Sequence, residues 1–202
     1  APVREDGGCI YGQKDLGCDT SDRVVFEAVG KILPRSAVWY SSNLKRTHQT
    51  AQAIWAAGFP KPHDMPHINA FAEQHLGEWQ GMNRAAFLAS RPVGSHWFAA
   101  IDEAAPGGES FMDLYNRTTG AIERINAEQA GRDVIVVAHG GTIKAAVGLA
   151  LGGLEGDEDP PPDLRRPRPH AAAGEVGPRP RAARIAYRPG RPARRGPSRA
   201  GP

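Results

Sequence analysis

A histidine directly behind an apolar run is the first feature of the sequence that could do chemistry. Residues 134–138 read Val-Ile-Val-Val-Ala, and His139, Gly140 and Gly141 follow before an apolar helical pattern. Such a run is typical of a strand buried in a parallel sheet, and open α/β sheets bind ligands at the carboxyl ends of their strands. The free N–H groups of a glycine turn at a helix N-terminus favour an anion. The pattern therefore predicts an imidazole beside an anion site, with Gly140 among the groups that contact the anion.

Two further residues have side chains suited to phosphate chemistry. Arg46 lies near the start of a predicted helix behind a second β-prone run, and a planar guanidinium fork can hold two phosphate oxygens. Glu73 lies in a partly apolar stretch rich in glycine and aromatic residues, where a carboxyl group can hold a proton and donate it. Each residue alone has an ordinary structural interpretation, as a solvated helix face or an exposed loop carboxylate. Only their combination with His139 indicates a site.

Alternating helix and strand patterns must position these residues. We expect Ser21 or Asp22 to cap the first helix and Ser41 or Ser42 to cap the second. Strand, turn and helix in repetition predict an α/β fold of three layers, with a mainly parallel sheet and helices on both faces. Helical apolar spacing covers five segments and β-prone runs cover two: 21–33, 44–57, 82–90, 110–130 and 141–151, then 37–40 and 133–138.

The order of these residues resembles the histidine phosphatase superfamily, whose members have the phosphoglycerate-mutase-like fold. Arg46, Glu73 and His139 occur in the family's order, with Pro-Gly-Gly-Glu-Ser at 106–110 between the last two. The resemblance covers about residues 1–153 and looks closest to α-ribazole-phosphatase-like members, because of the wording Cys-Ile-Tyr-Gly-Gln at 9–13.

The resemblance implies a role for each residue. Arg46 matches a phosphate-binding arginine in the pattern Ser-x-x-x-Arg-x-x-x-Thr-Ala, here 42–51. Glu73 matches the proton donor to the leaving group, and His139 matches the second active-site histidine. Tyr11 and Gly12 match phosphate-contacting positions in the loop after the nucleophile. The implied reaction is hydrolysis of a small phosphate ester through a phosphohistidine intermediate, and it implies no metal and no other cofactor.

One part of the family pattern does not occur in the sequence. Family members open with a strand ending in Arg-His-Gly, whose histidine is phosphorylated, and none of the seven histidines has this context. We expect the Arg-His pair and the first strand of the sheet to be missing ahead of Ala1, so that the 202-residue chain turns over substrate at a negligible rate. Two alternatives stay open: a phosphoglycerate-type mutase, and a non-catalytic domain that binds a phosphoryl ligand.

Composition divides the chain at about residue 153. Residues 154–202 hold 11 prolines, 11 of the 25 basic residues and 6 of the 22 acidic ones, so this segment carries +5 and residues 1–153 carry −2. Few large apolar residues occur there, which predicts a disordered tail. Its arginine, proline, glycine and alanine content suggests a frameshift in GC-rich DNA. The rival interpretation is a natural basic tail for nucleic acid or acidic partners, but Tyr187 is its only aromatic residue, which argues against nucleic-acid stacking.

The remaining residues indicate a compartment and argue against a metal. Cys9 and Cys18 form no metal-ligand pattern and are too few for a disulfide scaffold, as expected of reduced thiols in a cytoplasmic protein. His63 and His67 are four residues apart, but each follows a proline, which disfavours a metal-binding helix. No apolar run reaches about 18 residues and no signal-peptide pattern occurs, so we expect no membrane span. Oligomeric state cannot be read from the sequence.

Overall fold

A computed structural model describes residues 1–91 and 99–152, in which helices and strands alternate as predicted. The predicted Arg/Pro-rich tail, residues 154–202, lies outside the described residues. Single 3₁₀ turns at Asn69–Phe71 and Gly77–Trp79 lie in the long connection between α2 and α3. The main elements are α1 (Arg23–Ile32), β1 (Val38–Ser41), α2 (Lys45–Ala56), α3 (Arg84–Ala89), α4 (Phe111–Glu128), β2 (Val134–Val137) and α5 (Gly140–Ala150).

The two strands are parallel and place apolar side chains on both faces of the sheet. Val38 lies opposite Val134, and Ser41 lies opposite Val137. Because side chains alternate along a strand, Trp39 faces one side and Tyr40 faces the other. Trp39 packs in one cluster with residues of α1 and α2, and Tyr40 packs in another with residues of α4. The predicted α/β class, a parallel sheet with helices on both faces, is therefore confirmed.

The carboxyl ends of the strands bring distant segments to one edge of the sheet. Ser41 ends β1 and is hydrogen-bonded on its other side to the chain that leads to Glu73. The N–H of Ser41 donates to the carbonyl of Pro66 at 3.1 Å, and the N–H of Ile68 donates to the carbonyl of Ser41 at 2.8 Å. This bridge carries the segment after residue 68 to the edge where β2 ends at His139.

One of the two predicted helix caps is confirmed and the other is wrong. Asp22 caps α1, and its side chain accepts from the N–H of Val25 at 3.3 Å. The predicted serine cap of α2 is wrong, because Leu44 occupies the N-cap position without a side-chain capping bond. Ser42 Oγ does accept from the N–H of Leu44 at 3.1 Å, but it lies ahead of the helix and also contacts His139.

Candidate active site

His139 lies between β2 and α5, where it is the N-cap residue of the helix. Nε of Arg46 donates to its Nδ1 at 3.2 Å. Because a guanidinium can only donate, Nδ1 must be the unprotonated nitrogen of the ring. Nε2 therefore carries the proton and donates to Oγ of Ser42 at 2.7 Å. These two bonds fix both the tautomer and the orientation of the imidazole.

The electrostatic surroundings keep this imidazole neutral. Burial above all, and then the charges of Arg46, Arg117 and the α-amino group of Ala1, lower the pKa of His139 from 6.5 to about 3. The ring is only 7% exposed, so water does little to stabilise an imidazolium. A bound anion would have the opposite effect, because a neighbouring negative charge favours the protonated ring. Anion binding and protonation of His139 are therefore linked.

Arg46 lies in the first turn of α2 and joins this helix to the loop of residues 11–14. Its Nη2 donates to the carbonyl of Gly12 and its Nη1 donates to the carbonyl of Lys14, each at 2.8 Å. Burial lowers the pKa of Arg46, and the charge of Glu73 opposes this effect. Within the described residues its bonds use three of the five guanidinium N–H groups. Two N–H groups are left for the oxygens of an anion.

Tyr11 and Gly12 form the wall of the site next to Arg46. The guanidinium carbon of Arg46 lies 5.4 Å from the centre of the Tyr11 ring, and that of Arg84 lies 5.8 Å from it, both within the range of cation–π attraction. Gly12 has a φ of +45°, and a Cβ there would overlap Oε1 of Gln80. A glycine is therefore required where the loop turns beneath Arg46.

Glu73 faces the N-terminus of α5. Its two carboxylate oxygens accept from the N–H of Gly141 at 3.1 and 3.3 Å, and Oε1 also accepts from the N–H of Gln74 at 2.9 Å. A carboxylate at the positive end of a helix dipole is favoured. A Cβ on Gly141 would overlap this carboxylate, whereas one on Gly140 would lie at an ordinary 3.8 Å from it. The Gly-Gly turn therefore lets the acid approach the helix closely.

The backbone around Glu73 is held by an ion pair whose role the sequence analysis missed. Nη1 of Arg117, on α4, donates to the carbonyls of Ala70 and Ala72 at 2.7 and 2.9 Å, and Nη2 donates to the carbonyl of Glu73 at 3.0 Å. The same guanidinium binds both oxygens of Glu109, at 2.9 and 2.6 Å. Glu109 lies in the Pro-Gly-Gly-Glu-Ser segment, so the sequence pattern could have identified it as part of the site. No local pattern identified Arg117.

The structure brings the predicted site residues together at one edge of the sheet. Arg46 contacts His139 directly and meets Tyr11 and Gly12, while Glu73 and Gly140 meet at the start of α5. Ser42, Gly141, Glu109 and Arg117 complete the arrangement, and none of them was among the site residues predicted from the sequence. No group of three or more His, Cys, Asp or Glu side chains suited to a metal ion occurs in residues 1–91 and 99–152, and none of the helices in those ranges is long and apolar enough to cross a membrane.

These groups together can bind an anion and move a proton. A guanidinium and a helix N-terminus supply positive charge and N–H donors. The neutral imidazole, whose single N–H group binds Ser42, gains affinity for a proton as an anion arrives. The carboxylate oxygens of Glu73 keep lone pairs that can carry a proton besides the N–H groups they accept. The arrangement can therefore hold an oxyanion, with a carboxyl group beside it.

Comparison with known proteins identifies the class to which this site belongs. Residues 5–160 match the profile of the Histidine phosphatase superfamily (branch 1). Because this match covers most of the chain, the chain belongs to that family, and the family predicted from the order of Arg46, Glu73 and His139 is confirmed.

Individual relatives include both mutase-like proteins and phosphatases. Phosphoglycerate mutase-like protein 4 of Arabidopsis thaliana is 38% identical over 142 residues, which are 67% of this chain and 61% of that protein. The structure of a mycobacterial glucosyl-3-phosphoglycerate phosphatase with VO3 superposes with a TM-score of 0.61 at 28% identity, covering 74% of this chain and 77% of that one. A putative α-ribazole-5'-P phosphatase from Escherichia coli has a TM-score of 0.58 at 19% identity over 73% of each chain, which shows a shared fold. The chain spans 51–64% of the length of three curated relatives.

Proposed function

We propose that the chain provides the phosphoryl site of a phosphomonoester hydrolase that acts through a phosphohistidine on a small phosphorylated metabolite. The observation that carries the proposal is the contact between Arg46 and a neutral, buried His139, with the carboxylate of Glu73 at the adjoining helix terminus. A phosphoryl group needs positive charge and N–H donors around its oxygens, and its leaving group needs an acid.

The reaction we propose has two balanced steps. A histidine nitrogen attacks phosphorus, the bond from phosphorus to the ester oxygen breaks, and Glu73 gives its proton to that oxygen. Water then attacks the phosphohistidine, the phosphorus–nitrogen bond breaks, and Glu73 takes a proton from the water. Arg46 holds two phosphoryl oxygens during both steps, and His139, whose Nε2–H binds Ser42, supports Arg46 through Nδ1 as charge develops on phosphorus.

None of the seven histidines of the sequence has the Arg-His-Gly context of an attacking histidine. We therefore propose that the 202-residue chain binds phosphate but turns over phosphomonoesters at a negligible rate. The test compares the purified chain with a version that carries a β-strand ending in Arg-His directly before Ala1, each assayed for phosphate release and for acid-labile phosphohistidine. We expect activity in the second protein only, and robust turnover by the first would overturn the proposal.

The version with Arg-His also tests the role of Glu73 as the acid. In the version with Arg-His, Glu73→Gln should reduce the turnover of esters with poor leaving groups by about 10²–10⁴-fold, the usual contribution of an acid catalyst. It should affect an activated aryl phosphate far less, because that leaving group needs no proton. Equal losses on both substrates would contradict the role of Glu73 as the acid.

A mutase is the second candidate, favoured by the 38% identity to a phosphoglycerate mutase-like protein. A mutase passes the phosphoryl group from the histidine to a second position of the substrate, whereas a hydrolase passes it to water. Measuring phosphate release against positional transfer on 3-phosphoglycerate separates the two. A third outcome, phosphate binding that depends on Arg46 without turnover in either protein, would identify a non-catalytic phosphoryl-binding domain.

The proposal includes a small-molecule phosphate ester as the partner and the cytoplasm as the compartment. Cys9 and Cys18 are both free thiols in the structure, a state that is usual in a reducing compartment.

A further inference from the structure

An open cavity of about 510 Å³, with a mixed polar and apolar lining, lies next to the phosphoryl site and has no role in the reaction described above. The side chains that line it include three amides, those of Gln13, Asn43 and Asn69, and one ion pair, that of Glu109 with Arg117. Its volume lies within the range of small-molecule sites, about 300–1,000 Å³.

The chain connects this cavity to the phosphoryl site at three points. Gln13 follows Gly12, whose carbonyl binds Arg46, and Asn43 follows Ser42, whose hydroxyl binds His139. The third point is the backbone of Glu73 itself. Its carbonyl accepts from Nε2 of Gln13 at 2.8 Å and from Nη2 of Arg117 at 3.0 Å. The cavity therefore lies against the backbone of Glu73, the proposed proton donor to the leaving group.

The described residues that line the cavity carry no uncompensated charge. Glu109 and Arg117 pair with each other through two bonds, and the remaining guanidinium N–H groups of Arg117 bind backbone carbonyls. Among the described residues, the side-chain amides of Asn43 and Asn69 make no hydrogen bond, and both residues are exposed. Each amide offers two donor hydrogens and an acceptor oxygen. The groups left for a ligand are thus neutral donors and acceptors.

We propose that this cavity binds the leaving group of the substrate and selects a neutral, hydroxyl-rich one, such as a sugar or polyol. The inference rests on the proposed phosphatase function. Amides can donate to and accept from hydroxyl groups at once. Among the described residues that line the cavity, none offers a free cation to a carboxylate or a second phosphate, which favours a neutral ligand over a charged one. Asn43 and Asn69 are the specificity-determining residues.

The test uses the full 202-residue chain and three probes: inorganic phosphate, glycerol 3-phosphate and 3-phosphoglycerate. The two esters differ only in a hydroxymethyl group against a carboxylate. We measure dissociation constants and the NMR signals of the Asn43 and Asn69 side-chain amides. We expect glycerol 3-phosphate to bind about tenfold more tightly than 3-phosphoglycerate and to shift both amide signals, while inorganic phosphate shifts neither. Equal affinities for the two esters, or unmoved amide signals, would overturn the inference.

The response of the protein to inorganic phosphate shows whether a negative result overturns the proposed function or only this inference. Failure of phosphate to perturb the His139 ring overturns the proposed function and the inference with it. Perturbation of the ring by phosphate, together with equal binding of the two esters, overturns the inference alone.

A matched pair of variants tests the charge argument directly. Asn69→Lys places a cation in the cavity and should improve 3-phosphoglycerate binding relative to glycerol 3-phosphate by at least about fivefold. Asn126→Lys makes the same change at an exposed position in the C-terminal half of α4 and should leave the ratio unchanged. An unchanged ratio in Asn69→Lys would show that the leaving group does not enter the cavity.

Discussion

The two halves of the site are held in different ways. In the phosphoryl half, which consists of Arg46, His139, Tyr11 and Gly12, the functional side chains bind one another or the adjacent loop. In the acid half, which consists of Glu73 and Gly141, the carboxylate meets one helix terminus while its backbone is held by Arg117 from another helix. The phosphoryl half is therefore built from its own residues, and the acid half depends on Arg117 and Glu109, which lie outside it.

This difference separates two kinds of mutational effect. A substitution within the phosphoryl half changes the imidazole and guanidinium directly, so its effect should follow pH and phosphate concentration. A substitution in the support of the acid half changes the position of a loop, so its effect should appear first in stability. Measuring the free energy of unfolding, and how it changes with pH and phosphate concentration, therefore distinguishes the two halves.

A large effect is expected from Arg117→Met, which removes the support of the acid half. Three backbone carbonyls lose their donor and Glu109 loses its partner, so we expect the free energy of unfolding to fall by about 3 kcal/mol. Urea denaturation measures the loss. Arg124→Met is the control, because this arginine lies on the same helix but is exposed, and its ion pair with Glu128 is long, at 3.8 Å. This substitution should lower the free energy of unfolding by about 0.5 kcal/mol or less. Similar losses in the two variants would contradict the support role.

The second effect is a dependence of the free energy of unfolding on pH, which arises from His139 in the phosphoryl half. The pKa of His139 is about 3 in the folded chain and 6.5 as its ordinary value, so the unfolded chain binds a proton between these values and the folded chain does not. Stability is therefore fully present above pH 6.5 and is lost as the pH falls toward 3, by about 2–4 kcal/mol. Asp6, Asp19 and Asp113 also have lowered pKa values, but their contribution is lost only below about pH 4.

The measurement is the free energy of unfolding from pH 7 to pH 4, for the wild type and for His139→Gln. The wild type should lose stability between pH 6.5 and pH 4, and the variant should be nearly flat there. Saturating phosphate should flatten the wild-type profile as well, since a bound anion raises the pKa of His139. Parallel profiles for the two proteins would show that the imidazole of His139 does not cause the loss of stability at low pH.

A smaller effect is expected from Ser42→Ala, which leaves the buried Nε2–H of His139 without its acceptor. An unsatisfied buried donor costs about 1–3 kcal/mol. Ser41→Ala is a matched control one residue away, where the hydroxyl is also buried but lies 3.4 Å from Nε2 of His48. Only Ser42→Ala should also move the NMR signals of the His139 ring, and a similar shift in Ser41→Ala would contradict the assigned contact.

The sequence predicted most of the phosphoryl half because its residues lie in or beside regular elements. His139 follows an apolar strand and Arg46 opens an amphipathic helix, so the alternation of elements places both at the carboxyl edge of the sheet. The one error was the serine cap of α2. The hydroxyl of Ser42 satisfies the His139 ring across 97 positions of sequence, and no local propensity encodes such a partner.

The support of the acid half could not be predicted for a similar reason. Glu109 was visible as part of a glycine-rich segment, but Arg117 looks like any polar residue of a helix. Its function arises because α4 packs against the turn at Asn69–Phe71, which turns three carbonyls toward one guanidinium. A loop without regular hydrogen bonds must satisfy its carbonyls elsewhere, and only the tertiary structure shows where.

The smallest expected effect concerns Tyr11, at the edge of the phosphoryl half. The ring lies beside the guanidinium groups of Arg46 and Arg84, and among the described residues its hydroxyl makes no hydrogen bond. Tyr11→Phe should therefore change the free energy of unfolding by less than about 0.5 kcal/mol, whereas Tyr11→Leu should lose about 0.5–1 kcal/mol of cation–π attraction. Denaturant titration of both variants measures the difference. A larger loss in Tyr11→Phe than in Tyr11→Leu would mean that the hydroxyl, rather than the face of the ring, holds this wall of the site.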